Sequence, residues 1–264
     1  MDTNDSSARA YFTPDDGTRF TATGATGGPW TPDLQHGGPP SALLVRAAEQ
    51  VAGPEDDGLV ALRAAIDFHG PVPVGPVDVQ ARVTRPGRTI VGVDAELVAG
   101  GRTAMRARVW LLRLGTPTTA IGHDAPCPPS PDDMEATHLP WDFPYASSIE
   151  WRLTGGDALH PGPAAVWTRQ RIPLLEGEVP SGLQRVVLVA DSGSGVSSVL
   201  DWDRWSFVNI DLDVHLLRPV VGDWVHLDAV TRTSAVGSGL CSTTLHDADG
   251  HLGVSAQTLV VQPR

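Results

Sequence analysis

Apolar and polar residues alternate along eight segments of this chain, four in its first half and four in its second. In residues 207–217, for example, Val208, Ile210, Leu212 and Val214 take one face of an extended strand, while Asn209 and Asp213 take the other. Alternation with a period of two is typical of a strand with one buried face. The pattern predicts strands at residues 59–68, 77–84, 89–98, 103–112, 207–217, 224–231, 240–246 and 252–261.

A helix is predicted ahead of each set of strands, and each helix begins at a glycine-rich sequence. The first follows residues 36–40 and runs through Gln50, and apolar residues cover nearly its whole circumference. A helix of that kind is buried on most sides. The second is predicted to open at Asp191, directly after the apolar residues 186–190, and to run to about Leu200. One buried helix followed by antiparallel strands predicts an α+β fold in which a sheet curls around a helix, the hotdog arrangement.

A proline-rich segment separates the two copies of this pattern. Proline recurs through residues 116–145, and such a stretch can neither continue a helix nor lie inside a sheet. The turn residues of the two halves also correspond. Pro71 and Gly75 of the first half match Pro219 and Gly222 of the second. We therefore expect an N-terminal hotdog at residues 1–115, a surface linker at 116–145 and a C-terminal hotdog at 146–264.

The composition excludes some classes of binding partner and indicates the cellular compartment. The formal net charge is −12, and no run of basic residues is present, so no nucleic-acid partner is predicted. The apolar runs are too short to cross a bilayer, and the acidic N-terminal sequence does not resemble a signal peptide. Cys127 and Cys241 lack metal-type spacing and fit free thiols in a reducing cytoplasm. The histidines are scattered without ligand spacing, so no metal is predicted.

A series of short motifs runs through both halves. In the first half they are Trp30, His36-Gly37-Gly38, Asp67-Phe68-His69-Gly70-Pro71 and Arg85-Pro86-Gly87-Arg88. In the second half they are Ala190-Asp191, Asn209-Ile210-Asp211, Arg218-Pro219, Gly222-Asp223-Trp224, and Asp249-Gly250 followed by Gln257. Their order and spacing, over roughly residues 30–261, resemble the acyl-CoA thioesterase II-like proteins of the thioesterase-like superfamily.

The resemblance implies a double hotdog with joined sheets that hydrolyses an acyl-CoA to a fatty acid and coenzyme A without a cofactor. It also implies a catalytic set that holds and activates water, and this set falls by motif on Asp191, Gln257 and Asn209. The chain departs from the family at two places. Asn209 stands where the family usually has a hydroxyl side chain, and Gln257 follows Gly250 by seven residues where well-known members have eight. A one-residue slip in a strand reverses its facing unless a bulge absorbs it.

Each of these three residues also has a structural interpretation. Asp191 could be a helix N-cap, or a general base that takes a proton from attacking water. Gln257 could be a satisfied structural amide, or one that holds water. Asn209 shares its predicted face with several ionisable residues, so a solvent-exposed face is the alternative to a polar cavity.

The loop His36-Gly37-Gly38 is the candidate substrate-binding element. Backbone N–H groups at a helix start can hold a developing oxyanion, and glycine lets a ligand approach closely. Because Pro39 and Pro40 have no N–H, Gly37 and Gly38 would supply these donors. His36 would polarise the thioester carbonyl or cap the loop.

Two other functions remain open beside thioester hydrolysis. One is a hotdog dehydratase or hydratase that acts on an acyl thioester, and the other is a non-catalytic protein that binds an acyl group or acyl-CoA. The chain has no Gly-x-Ser-x-Gly sequence, which argues against an α/β-hydrolase. The expected partner is a small acyl thioester, with coenzyme A as the carrier. A monomer and a homodimer of fused chains are equally compatible with the sequence.

Overall fold

The strands form one antiparallel sheet, seen in a computed structural model that describes residues 8–53, 58–115, 126–157 and 160–264. The first half contributes β1 (Phe12–Asp16), β2 (Arg19–Ala22), α1 (Gly38–Ala52), β3 (Leu59–Phe68), β4 (Pro76–Arg85), β5 (Ile90–Ala99) and β6 (Arg102–Arg113). The second half contributes α2 (Pro144–Ser147), β7 (Ile149–Gly155), β8 (Ala164–Gln170), α3 (Gly182–Ala190), α4 (Gly193–Val196), β9 (Trp205–Asn209), β10 (Asp211–Leu216), β11 (Val225–Thr233), β12 (Ser238–Asp247) and β13 (Gly250–Pro263). No helix within these described ranges is long and apolar enough to cross a membrane.

The order of the strands has the same plan when it is read from either end of the sheet. The order is β1-β2-β4-β5-β6-β3-β10-β13-β12-β11-β8-β7, and β9 also pairs with β13. Each half therefore consists of an outer hairpin, a three-stranded meander and one strand, β3 or β10, that lies beside the other half. β3 and β10 pair at the centre, with Asp67 opposite Asp211 and Arg63 opposite His215. Buried side chains of both halves form one core, and the predicted α+β double hotdog is confirmed.

The two long helices, α1 and α3, pack side by side in opposite directions. At one end, Gly38 approaches α3 so closely that a Cβ atom on it would lie 2.0 Å from the carbonyl oxygen of Leu188. At the other end, the Glu49 carboxylate accepts hydrogen bonds from Ser181 Oγ at 2.7 Å and from Gln184 Nε2 at 2.6 Å. The symmetry that relates the strands also relates these two ends, yet the ends hold different residues.

The second long helix does not begin at Asp191. Residues 182–190 form α3, so the apolar residues 186–190 are helical and Asp191 lies at the C-terminal cap. The N-cap is Ser181, whose Oγ accepts a hydrogen bond from the Gln184 N–H at 3.2 Å. Ser-x-x-Gln is a capping-box pattern, so the N-terminal signal lies at Ser181. The interpretation of Asp191 as an N-cap is therefore wrong.

The segment predicted as one strand at residues 207–217 is two strands, and β9 ends at Asn209. The buried face changes at the break. Val208 and Ile210, predicted on the buried face, are 44% and 48% exposed, whereas Phe207 is buried and Leu212 beyond the break is buried as predicted. The facing predicted for the beginning of this segment is wrong, because a period of two cannot reveal where one strand ends and the next begins.

Part of the proline-rich segment is buried in the core. Residues 116–125, where the predicted linker begins, lie outside the described residues. Further along, Leu139 and Tyr145 are 7% and 1% exposed, and α2 leads directly into β7. The prediction of a linker that crosses the surface does not hold at Leu139 and Tyr145, while the division of the chain at residues 115 and 145 stays a prediction.

Candidate active site

Asp191 lies where α3 ends, and its carboxylate meets three other side chains. Its Oδ1 accepts a hydrogen bond from Asn209 Nδ2 at 2.8 Å and lies 3.3 Å from Gln257 Nε2. Its Oδ2 lies 3.1 Å from His36 Nδ1, and the Asp191 side chain is only 5% exposed. Four residues proposed from the sequence therefore come together, although they lie on different elements of both halves of the chain.

Gln257 reaches the site because a bulge in β13 sets its facing. In the pairing of β12 with β13, Leu245 is opposite Gly253 and His246 is opposite His251, so Leu252 is the extra residue. An extra residue reverses the facing of the strand beyond it, which compensates for the spacing noted in the sequence. The Gln257 side chain is buried, and its Oε1 accepts a hydrogen bond from the Ser194 N–H at 3.1 Å. Its amide is thus held from both ends, by α4 and by Asp191.

Asn209 is the last residue of β9, and its side chain points into the site. Besides its bond to Asp191, its Nδ2 lies 3.1 Å from the main-chain oxygen of Asp211. The alternative of a solvent-exposed face is therefore wrong for Asn209, because the break after β9 separates it from the outward-facing residues of β10. A catalytic role for Asn209 and Gln257 stays a prediction, since both amides act here as donors toward the carboxylate.

His36 lies beside Asp191 with its side chain 11% exposed, an environment that favours the neutral imidazole. Burial lowers the pKa of His36, and the Asp191 carboxylate opposes that shift without overcoming it. The Nδ1 atom lies 3.1 Å from Asp191 Oδ2 and 3.2 Å from the Gly38 N–H. A neutral imidazole nitrogen either donates or accepts, so the tautomer that donates to the carboxylate leaves the Gly38 N–H without this acceptor.

Tyr145 supports both His36 and the end of α3. Its ring stacks on the His36 ring with centroids 3.7 Å apart and an angle of 5° between the planes. Its hydroxyl donates to the main-chain oxygen of Leu188 at 2.8 Å and lies 2.9 Å from Ser192 Oγ. Burial raises the pKa of Tyr145 well above its ordinary value, so the hydroxyl stays protonated. Sequence reasoning missed this residue because it lies in the segment interpreted as a linker.

Gly37 and Gly38 have different positions in the site. Gly37 lines the cavity in front of Asp191, and a Cβ atom on it would lie 2.7 Å from the Phe68 ring and 2.8 Å from Asp191 Oδ2. Gly38 is buried against Leu188, and its N–H points toward the His36 ring. The expectation that both glycines present N–H donors to a substrate therefore fits Gly37 better than Gly38.

A cavity of about 350 Å³ opens in front of the Asp191 carboxylate. Its polar side includes Asp191, Ser194 and Asn209, and much of the remaining wall is aromatic. A second cavity of about 540 Å³ lies next to it, and the two share Trp30, Trp141, Phe143, Trp202 and other wall residues.

Trp141, Phe143 and Trp202 were not identified from the sequence, although Trp30 was part of a motif. The density of aromatic residues between positions 141 and 145 could have marked Trp141 and Phe143, but not Trp202, and not the packing of all three into one wall. Within the part of the chain that the structure describes, no group of three or more His, Cys, Asp or Glu side chains is placed to hold a metal ion.

Solved structures resemble this chain along almost its whole length. A candidate thioesterase II from Thermobifida fusca YX superposes with a TM-score of 0.75 at 18% identity and covers 96% of both chains. A hot dog protein of unknown function from Alicyclobacillus acidocaldarius has a TM-score of 0.74 at 15% identity and covers 95% of both. An acyl-CoA thioesterase II from Mycobacterium marinum has a TM-score of 0.69 at 14% identity, covering 96% of this chain and 95% of that one. At these identities the likeness establishes the fold.

Sequence comparison identifies the family. Among curated proteins, none matches this chain significantly. The sequence pattern of the acyl-CoA thioesterase N-terminal domain matches residues 26–112, and that of the acyl-CoA thioesterase C-terminal domain matches residues 124–261. The chain therefore belongs to the acyl-CoA thioesterase family, with both of that family's domains present in order.

Proposed function

We propose that this protein hydrolyses acyl-CoA thioesters and that Asp191 activates the attacking water. The observation that carries the proposal is a nearly buried carboxylate at the wall of a largely aromatic cavity, contacted by two amide side chains and a neutral imidazole. A carboxylate in such a place can take a proton from water beside a bound ester. The family to which the chain belongs supports the reaction class.

In the proposed reaction, a water molecule beside Asp191 attacks the thioester carbonyl carbon. The carboxylate takes one proton from the water, and the carbonyl oxygen becomes an oxyanion. When the tetrahedral intermediate collapses, the carbon–sulfur bond breaks and the proton on Asp191 passes to the leaving thiolate. The products are a carboxylic acid and free coenzyme A, so the atoms balance without a cofactor.

The neighbours of Asp191 hold the carboxylate in place for this step. Asn209 and Gln257 donate to Oδ1, which leaves Oδ2 to face His36 and the cavity. Gly37 lines the cavity directly before α1, so its N–H is the donor that we assign to the oxyanion. A Cβ atom there would push against the Phe68 ring and the Asp191 carboxylate, so glycine at this position leaves both side chains where they are.

The test is release of free thiol from acyl-CoA substrates of different acyl groups, followed with a chromogenic thiol reagent. Asp191→Asn keeps the shape of the side chain but cannot accept the proton, so kcat should fall by roughly 10²–10⁴-fold. Asp78→Asn is the matched control, because Asp78 on β4 forms an exposed ion pair with Arg19 on β2. Turnover that survives Asp191→Asn would remove the catalytic assignment.

Two companion measurements, of acyl-CoA binding and of enoyl-CoA hydration, separate the other functions that the sequence left open. Saturable binding of acyl-CoA without thiol release would instead indicate a binding protein, and hydration of an enoyl-CoA would indicate a hydratase. We also propose that the protein works in the cytoplasm, because Cys127 and Cys241 are both free thiols. A homodimer of fused chains stays a prediction that sedimentation would test.

A further inference from the structure

Aromatic residues are concentrated around the cavity in front of Asp191. The whole chain contains eight Trp, five Phe and two Tyr, and three Trp, three Phe and one Tyr of these line this cavity. They are Trp30, Phe68, Trp141, Phe143, Tyr145, Trp202 and Phe207. Leu, Ile and Val are far more numerous in the sequence, yet only Leu34, Val72, Val208 and Ile210 line it. The cavity therefore presents mainly flat, rigid surfaces.

The rings hold one another in fixed orientations. Trp30 stacks on Trp202 with centroids 5.6 Å apart and 18° between the planes. Phe207 meets both edge-on, at 5.2 Å and 4.9 Å. Trp141 stacks on Phe143 at 6.0 Å and lies 6.1 Å from Trp202. Rings packed in this way have little freedom to change rotamer, so the faces and edges that they offer a ligand are preformed.

Of the two parts of an acyl-CoA, the acyl group is the one that suits this wall. The pantetheine arm carries two amides, and each loses its hydrogen bonds to water when it enters a cavity. Ring faces and ring edges do not replace those bonds, whereas they lower the free energy of a flat apolar group through offset or edge-to-face contacts. An alkyl chain gains only the burial of its area there.

We propose that the preferred substrates carry an aromatic or other planar cyclic acyl group, which the tryptophan wall selects. This inference rests on the proposed thioesterase function. The wall of Trp141 and Trp202 stands between the active-site cavity and its neighbour. A compact ring can lie on the near side of that wall in the volume of about 350 Å³, while a long straight chain would extend along the indoles without the ring contacts that they offer.

The test compares two substrates with the same number of carbons, hydrocinnamoyl-CoA and nonanoyl-CoA. The ratio of their kcat/KM values should favour the aromatic acyl group by roughly tenfold, the size of one or two ring contacts. In Trp202→Leu and in Trp141→Leu the ratio should fall several-fold toward unity. Trp110→Leu is the matched control, because Trp110 lies on β6 between Arg85 and Arg108 outside this cavity, and it should keep the wild-type ratio.

A binding measurement keeps this inference distinct from the proposed function. Thioether analogues of the two substrates cannot be hydrolysed, and the quenching of tryptophan fluorescence reports their binding. Tighter binding of the aromatic analogue without turnover of either thioester would support the acyl preference and reject the thioesterase. Hydrolysis of both thioesters with equal kcat/KM, or equal binding of both analogues, would reject the acyl preference, whether or not the thioesterase assignment holds.

Discussion

Replacing Gly38 by alanine tests the close packing of α1 against α3. The new Cβ atom would lie 2.0 Å from the Leu188 carbonyl oxygen, about 1.4 Å short of the 3.4 Å at which ordinary contact begins. The helices must separate, and overpacking of this kind costs about 1–3 kcal/mol. Without the contact, the same change would stabilise the protein by about 0.4–1 kcal/mol, because alanine restricts the unfolded chain. The close packing therefore predicts a lower free energy of unfolding, whereas restriction of the unfolded chain alone predicts a higher one.

Two assays follow from this displacement. For a chain of this size, about 2 kcal/mol lowers Tm by about 4–8 °C, which circular dichroism would detect. Leu188 also accepts the Tyr145 hydroxyl bond and lies one turn before Asp191, so thiol release should fall with stability. Gly115→Ala is the control, because a Cβ atom added to Gly115 would meet nothing within 4 Å. A Gly38→Ala protein with an unchanged or higher Tm would refute the reasoning.

Two further predictions concern buried polar groups. Tyr145→Phe keeps the ring stack on His36 but leaves the Leu188 carbonyl without its donor, so we expect a loss of about 1–3 kcal/mol and a lower kcat. Tyr11→Phe breaks a comparable buried bond to Ser148 and should lower Tm while kcat is kept; equal kcat losses in both variants would contradict the positioning role. Burial, and then the neighbouring His246 ring, lower the pKa of His226 to about 3. Because the unfolded chain binds this proton more readily than the folded protein does, the folded protein has its full stability above pH 6.5. Its free energy of unfolding then decreases as the pH falls toward 3, by up to about 1.4 kcal/mol per pH unit. Urea midpoints of His226→Gln should therefore vary less over that range than those of the wild type.

The long strands could be predicted from sequence because each one buries a single face. Residues 59–68 were predicted as a strand, and β3 has the same bounds. The outer hairpins were missed because their strands are short or carry mixed patterns, as in β1, where only Phe12 is buried. The helix α3 was missed because an apolar run of a few residues does not distinguish a helix from a strand, and its cap at Ser181 was overlooked.

The candidate site was predictable in part, and only through the family resemblance. No local pattern connects Asp191 with Gln257, because the bulge at Leu252 decides where Gln257 points. The aromatic wall comes from four separate stretches of the chain, represented by Trp30, Phe68, residues 141–145 and residues 202–207. Such a wall exists only after tertiary folding, so neither hydrophobic periodicity nor spacing in the sequence could have predicted it.

The two unlike ends of the α1–α3 pair have a consequence for how such proteins diverge. A dimer of two identical hotdog subunits must carry the same residues at both ends, because every substitution appears twice. Covalent fusion removes that obligation, so one end could keep an open cavity with Asp191 while the other was sealed by Glu49, Ser181 and Gln184. The end held by Glu49 is then free to be optimised for stability alone, and the proposed chemistry needs only the end that carries Asp191.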